Sequence, residues 1–320
     1  MVPATTGAGD RPLRCAPVSD VGFDGRVAVV TGAGGGLGRE HALLLASRGA
    51  RVVVNDVGSS PAGVGADEGP AARTAQEIVG LGGEAVHDTN SVATPEGGEA
   101  VIATAVAAFG RVDVVVNNAG ILRDKAFHNL TPELLDPVLD VHLKGAFWVT
   151  RPAWVRMREQ AYGRVVCTTS SSGILGNFGQ SNYGAAKTGV IGLVRVLAAE
   201  GARHGIRVNA VAPLARTRLT EDLLGPLAER LSPALVSPVV AWLCSEECPV
   251  TGEVFEVGGG RVSRFFTGLT HGWFDPDLTI ESVRDHLDAI RAEDGYTTPA
   301  SLGEELAELF ARLSSGTGAP

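Results

Sequence analysis

Residues 26–40 read RVAVVTGAGGGLGRE, an apolar run that passes directly into five glycines within the eight residues Thr31–Gly38. A continuous apolar run of this length suits a strand buried on both faces. Glycine carries a backbone-entropy penalty, so this density needs a reason. One reason is a ligand that must reach the main chain. Without Cβ atoms in the way, a pyrophosphate can approach the amides of a helix N-terminus, where the helix dipole also favours negative charge. The spacing is Thr-Gly-x-x-x-Gly-x-Gly, set by Gly32, Gly36 and Gly38. Leu37 stands where a G-x-G-x-x-G pattern needs its last glycine. A tight turn that holds no ligand is the alternative reading of the same residues.

Outward from this turn, strands and helices alternate. A helix is predicted over 36–48, ended by Gly49. RVVVN at 51–55 is the second strand, followed by a loop rich in Gly, Ser and Pro over 58–70. Helices are then expected at 70–81, 95–109, 131–142, 145–160, 182–204 and 233–245. Further strands are expected at 84–87, 112–117, 164–169, 206–212 and 253–257. Seven strands, nearly all separated by helices, predict an α/β fold with a single doubly wound, parallel, seven-stranded Rossmann-like sheet. The expected organisation is a disordered tail over 1–22, a dinucleotide-binding catalytic domain over 23–262 and a helical C-terminal extension over 263–320. Beyond Gly260 no strand signal is read, only two amphipathic helices at Pro276–Ala292 and Pro299–Leu313.

The totals exclude several functions. With 44% apolar and 20% charged residues in 320, the chain has the composition of a globular protein with a sizeable core. A net charge of −9 without a basic cluster argues against nucleic-acid binding. No apolar run approaches the roughly 20 residues of a membrane span. The N-terminus lacks the apolar region of a secretory signal, and the C-terminus lacks a peroxisomal address. A cytoplasmic location is expected, with no membrane partner. The four Cys, at 15, 167, 244 and 248, and the scattered His do not form a metal pattern, so no metal is expected.

The second strand ends at Asn55-Asp56. A carboxylate at that place can accept from both hydroxyls of an adenosine ribose and repels a 2′-phosphate, which favours NAD over NADP. Tyr183 and Lys187 are four apart on one helix face. A phenol with its usual pKa near ~10 is a poor base, and a neighbouring ammonium lowers that value. Such a pair can move the proton of an alcohol. Ser170, thirteen residues before Tyr183 and just past a strand, can hold the reacting oxygen; Ser171 and Ser172 compete for that role. Asn117-Asn118-Ala119-Gly120 closes the preceding strand, where its amide side chains can order a cofactor site.

Together TGAGGGLG, NNAG, Ser170, YGAAK and Asn209 followed by Ala212-Pro213 resemble the short-chain dehydrogenase/reductase family over roughly residues 23–260. The resemblance implies that Tyr183 is the general acid/base, that Lys187 lowers its pKa and holds the nicotinamide ribose, and that Ser170 orients the substrate oxygen. The implied cofactor is NAD, held by Gly32, Gly36, Leu37, Gly38, Asp56, Asn90, Ser91, Asn118, Ala119 and Gly120 together with Tyr183 and Lys187. The family usually has Asn in an Asn-x-x-Gly motif that supports a proton-relay water; here the motif reads His142-Leu143-Lys144-Gly145. His142 is either a helix-packing residue or the group that takes over the relay.

Longer strings, among them VVVNNAGILRDKAF, VHLKGAFWVTR and SSGILGNFGQSNYGAAK, resemble the dehydrogenase units of peroxisomal multifunctional enzymes of type 2, in which His replaces the usual Asn. That likeness implies a (3R)-3-hydroxyacyl-CoA thioester as substrate, a 3-oxoacyl-CoA product and a homodimer or homotetramer. Arg216 and Arg218, in the segment 214–231, are candidates to meet CoA phosphates or serve only as solvated surface. A steroid dehydrogenase, a 3-oxoacyl carrier-protein reductase and a non-catalytic dinucleotide-binding module remain as other readings.

Overall fold

The computed structural model describes residues 20–216 and 229–315. Its centre is an eight-stranded sheet of order β3-β2-β1-β4-β5-β6-β7-β8. The strands are β1 (Val27–Thr31), β2 (Arg51–Asn55), β3 (Glu84–Asp88), β4 (Val114–Asn117), β5 (Gly163–Thr168), β6 (Ile206–Leu214), β7 (Val254–Gly258) and β8 (Arg261–Phe265). The first seven run parallel, and β8 pairs antiparallel with β7. Every residue of β1 and β5 is buried, as expected of strands with both faces covered.

The expectation of seven strands is corrected to eight. Gly259 and Gly260, at φ 57° and 84°, form a two-residue turn with both residues in the left-handed region. That geometry folds RVSRF straight back as a hairpin strand, so the apolar-to-polar change at 260 marks a turn and not the end of the sheet. β8 therefore runs across residue 262, where the catalytic unit was expected to end.

Helices cover both faces: α1 (Gly36–Ser47), α2 (Gly69–Gly80), α3 (Pro95–Phe109), α4 (Pro132–Leu139), α5 (Gly145–Gln160), α6 (Ser171–Leu175), α7 (Ser181–Gly201) and α8 (Ser237–Cys244). Two buried apolar clusters result. One lies under α1, α2 and α8 and includes Leu45, Ile78, Val240 and Leu243. The other lies under α3, α5 and α7 and includes Val101, Val149, Met157 and Val194. Between α4 and α5 the chain stays helical through a π-turn, Asp140–Lys144, so the two expected helices are joined end to end. α6 has no counterpart in the sequence expectation; five residues are too few to show helical periodicity.

Past β8 come α9 (Ile280–Asp285), α10 (Leu287–Arg291) and α11 (Leu302–Ser315), with α9 and α10 replacing the single helix expected over 276–292. At the other end, Val21 packs against the first cluster, and Phe23 is buried and donates its N–H to Arg48 O at 2.7 Å. The remainder of the expected tail, residues 1–19, lies outside the described residues, as do 217–228 with Arg218. No helix among the described residues is long and apolar enough to cross a membrane.

Strand order reverses between β1 and β4. In such sheets the crevice outside the carboxyl ends at this point is where ligands sit. The turns after β1, β2, β3, β4 and β5 carry Gly32, Asp56, Asn90, Asn118 and Ser170, all at that edge.

Candidate active site

Gly32 and Gly36 take left-handed φ values of 65° and 53°, which other residues rarely adopt. A Cβ on Gly38 would collide with the Gly32 carbonyl and stand 2.6 Å from Asn118 Nδ2. The turn is held from behind by β4. Asn118 Nδ2 donates to the carbonyls of Thr31 at 3.0 Å and Gly32 at 3.2 Å. Thr31 Oγ1 accepts from the N–H groups of Asn118 at 3.0 Å and Ala119 at 3.1 Å. In front, a Cβ on Gly35 would meet nothing within 4 Å, and no side chain caps the first turn of α1. An open helix N-terminus with Cβ-free approach fits a dinucleotide pyrophosphate, with Gly36, Leu37 and Gly38 in that first turn.

Asp56 lies across the turn. Its Oδ2 accepts from Gly34 N–H at 2.8 Å and its Oδ1 from Gly58 N–H at 2.7 Å. Each oxygen keeps a second lone pair, so the carboxylate can still receive ribose hydroxyls. Asn90 donates its N–H and its side-chain amide to Asp88, at 3.0 Å and 2.8 Å. Buried Asp88 also accepts from Asn55 at 2.7 Å and Thr104 at 2.7 Å. Asn90 is thus anchored through its side chain, and Ser91 is exposed, with Oγ accepting from Ala93 N–H at 3.3 Å. The roles of Asp88 and Thr31 in building this edge were not read from the sequence, because Asn55, Thr104, Asn118 and Ala119 reach them only through the fold.

α7 carries Tyr183 and Lys187, while Ser170 caps the N-terminus of α6. The Ser170 hydroxyl stands beside the Tyr183 phenol and favours its charged form. His142, in the π-turn, meets the Tyr183 ring edge-to-face with centroids 5.1 Å apart. Lys187 is buried, its Nζ 5.6 Å from the Tyr183 ring centroid. The ammonium donates to Thr168 O at 2.6 Å. The fold therefore sets Ser170, Tyr183, Lys187 and His142 around one cleft. Gly120 serves His142: a Cβ there would lie 2.5 Å from the imidazole Cε1. Asn117 is turned away to Thr150 Oγ1 at 2.8 Å, which fixes β4 to α5.

Burial dominates the electrostatics. It lowers the Lys187 pKa to about 7. It also pushes the Tyr183 phenol above its ordinary value; the bond from Ser170 opposes this rise and the Asp124 carboxylate adds to it. The expected lowering of the Tyr183 value by Lys187 is not found; burial sets the direction. His142 is held far below its ordinary value by burial and by the Lys187 charge, so it is neutral. Its Nε2 lies 2.7 Å from Ile121 O and 3.1 Å from Ile121 N. One ring nitrogen cannot donate and accept at once, and the shorter contact assigns the proton to Nε2. Among the described residues Nδ1 is then a lone-pair atom with no hydrogen-bond partner, and Thr168 Oγ1 likewise has none. Both residues, with Lys187, line a cavity of about 10 Å³, the scale of one water molecule.

The short chain dehydrogenase family model matches residues 26–223, more than half of the chain. The chain belongs to the short-chain dehydrogenase family. A short-chain type dehydrogenase/reductase of Mycobacterium tuberculosis is 55% identical over 264 residues, covering 82% of this chain and 92% of that protein. A hydroxyacyl-CoA dehydrogenase of the same organism is 38% identical, covering 86% and 92%. The structure of full-length peroxisomal multifunctional enzyme type 2 from Drosophila melanogaster superposes with a TM-score of 0.78 at 40% identity. This match covers 92% of the present chain and 50% of the insect chain, so the protein spans half of that larger enzyme. As a short-chain dehydrogenase it is an oxidoreductase acting on CH–OH groups, and the family uses NAD or NADP.

Proposed function

We propose that this short-chain dehydrogenase oxidises (3R)-3-hydroxyacyl-CoA to 3-oxoacyl-CoA with NAD. The observation that carries the chemistry is buried Lys187 with its Nζ 5.6 Å from the centroid of the Tyr183 ring, which has the Ser170 hydroxyl at its side. The cofactor choice rests on Asp56, whose negative charge faces the turn where a 2′-phosphate would have to sit. The acyl-CoA class is supported by the hydroxyacyl-CoA dehydrogenase relative and by the multifunctional-enzyme likeness over nearly the whole chain.

When bound, the dinucleotide supplies the hydride acceptor for the carbinol carbon. Ser170 Oγ holds the substrate oxygen and donates to it as it becomes a carbonyl. Tyr183 Oη removes the hydroxyl proton. Tyr183 acts here as phenolate and becomes phenol; the Lys187 ammonium, with Nζ behind the ring, stabilises that phenolate before the proton arrives. His142 Nδ1 and Lys187 border the same cavity, and a water there can accept from the ammonium and donate to the neutral imidazole. Arg216, exposed at the end of β6, is available to the CoA phosphates.

The decisive variant is Tyr183→Phe. It should abolish NADH formation, by at least ~1,000-fold, while NAD binding followed by protein fluorescence stays within about threefold. Retained turnover in this variant rules out Tyr183 as the acid/base. Asp56→Asn should narrow the NAD-over-NADP preference by roughly tenfold in kcat/KM, since it removes the charge that repels the 2′-phosphate.

A further inference from the structure

Ser170 sits on α6, a helix of five residues that cannot hold itself in place. What holds it comes from two directions. From α7, Thr188 Oγ1 donates to Gly173 O at 2.5 Å, and a Cβ on Gly173 would lie 2.9 Å from Lys187 Cβ, so the two helices touch. From the opposite side, Ser171 Oγ donates to Glu256 Oε1 at 2.9 Å. Glu256 lies on β7, 85 positions along the chain, with only 15% of its side chain exposed. Its other oxygen, Oε2, accepts from Arg261 at 2.8 Å and from Ser263 at 3.3 Å, both on β8. Glu256 thus joins the β7–β8 hairpin to the residue next to Ser170.

We infer that Glu256 is a positioning residue for the dehydrogenation: through Ser171 it fixes α6, and with it the direction of the Ser170 hydroxyl toward Tyr183. Three observations make the clamp more than a surface ion pair. Arg261 is 72% exposed, so the outer arm contributes little by itself. The inner arm is a charge-assisted bond to a half-buried hydroxyl, of the stronger kind. The residue it holds adjoins Ser170, whose Oγ already accepts from Ser172 N–H at 3.2 Å; the Ser170 rotamer is therefore set by the first turn of α6 and moves with it. Displacement of about 1 Å at a reacting group can lower rate by roughly a hundredfold. The inference also assigns a role to β8, the strand that sequence periodicity did not show: its Arg261 and Ser263 hold the far side of the carboxylate.

This rests on the reading of Ser170 as the residue that orients the substrate oxygen. The test uses the full chain with NAD and (3R)-3-hydroxybutyryl-CoA, comparing Ser171→Ala, Glu256→Ala, their double variant, Glu256→Gln and, in parallel, Ser170→Ala. Each of the first two should lower kcat about tenfold while the KM for NAD stays within about twofold. The double variant should be no worse than either single one, because both remove the same contact. Glu256→Gln keeps an acceptor for Ser171 and should recover kcat to within about threefold of wild type. Wild-type kcat in Ser171→Ala, or losses that multiply in the double variant, overturn the clamp. So does a Glu256→Gln enzyme as slow as Glu256→Ala. Should Glu256→Ala fail to fold, Ser171→Ala and Glu256→Gln carry the test. Ser170→Ala separates the two ideas: full activity there removes the role of Ser170 itself, whereas a large loss there beside an unaffected Ser171→Ala removes only the clamp.

Discussion

Lys187 is the residue on which chemistry and stability pull in opposite directions. Its amine is buried to 3% exposure, and burial lowers its pKa from 10.5 to about 7. In the unfolded chain the same amine keeps its ordinary value. Between about pH 7 and 10.5 the unfolded chain therefore holds a proton that the folded chain has lost, and stability rises with pH across this window. Below about 7 the folded protein carries the full penalty of a buried ammonium. A methionine at 187 has no proton to lose. Without cofactor, the Tm of Lys187→Met relative to wild type should be most favourable near pH 7 and fall as pH rises to 10. A pH-independent difference would show that the amine titrates at its ordinary value. At this scale the sequence made Tyr183, Lys187 and Ser170 visible because helical spacing and strand ends are local features, and His142 visible because the family resemblance places an Asn at its position. It could not show Asp88, Glu256 or Asp124, whose partners are brought close only by the sheet and its crossovers.

At the scale of elements, α3 and α5 meet at a point where no side chain fits between them. Gly98 on α3 is buried, and a Cβ there would collide with the Trp148 main chain on α5. Gly98→Ala should separate the pair and cost about 1–3 kcal/mol, read as a fall in Tm of several degrees. An unchanged Tm would mean that the helices slide apart without penalty. On the other face, α1 and α8 are tied by His41 Nδ1 and Ser237 Oγ at 2.8 Å, and burial lowers the His41 pKa from 6.5 to about 3. The unfolded chain binds a proton at His41 between these values, so this site removes stability as pH falls from 6.5 toward 3. In Ser237→Ala the stability at pH 7 should drop by about 1 kcal/mol, as for loss of one buried hydrogen bond. Helix and strand positions were legible in outline because apolar periodicity sets them. The π-turn at Asp140–Lys144 and the hairpin at Gly259-Gly260 were not, since each depends on backbone geometry that periodicity does not encode.

For the whole molecule, one sheet edge gathers every turn of the candidate site, and the opposite edge of the strands is left to packing. α5 and α7 expose Phe147, Val155 and Val196 on outer surfaces. The homodimer or homotetramer that the family resemblance implies should appear in light scattering as two or four times the 33.0 kDa chain mass; a mass of one chain would contradict it. The reaction itself is tested by following reduced-nicotinamide absorbance with (3R)- and (3S)-3-hydroxyacyl-CoA, each with NAD and with NADP. The expected result is turnover of the R thioester with NAD, and at least ~10-fold lower kcat/KM with NADP or with the S form. Turnover of neither thioester while NAD binds normally, or a preference for the S form, would contradict it.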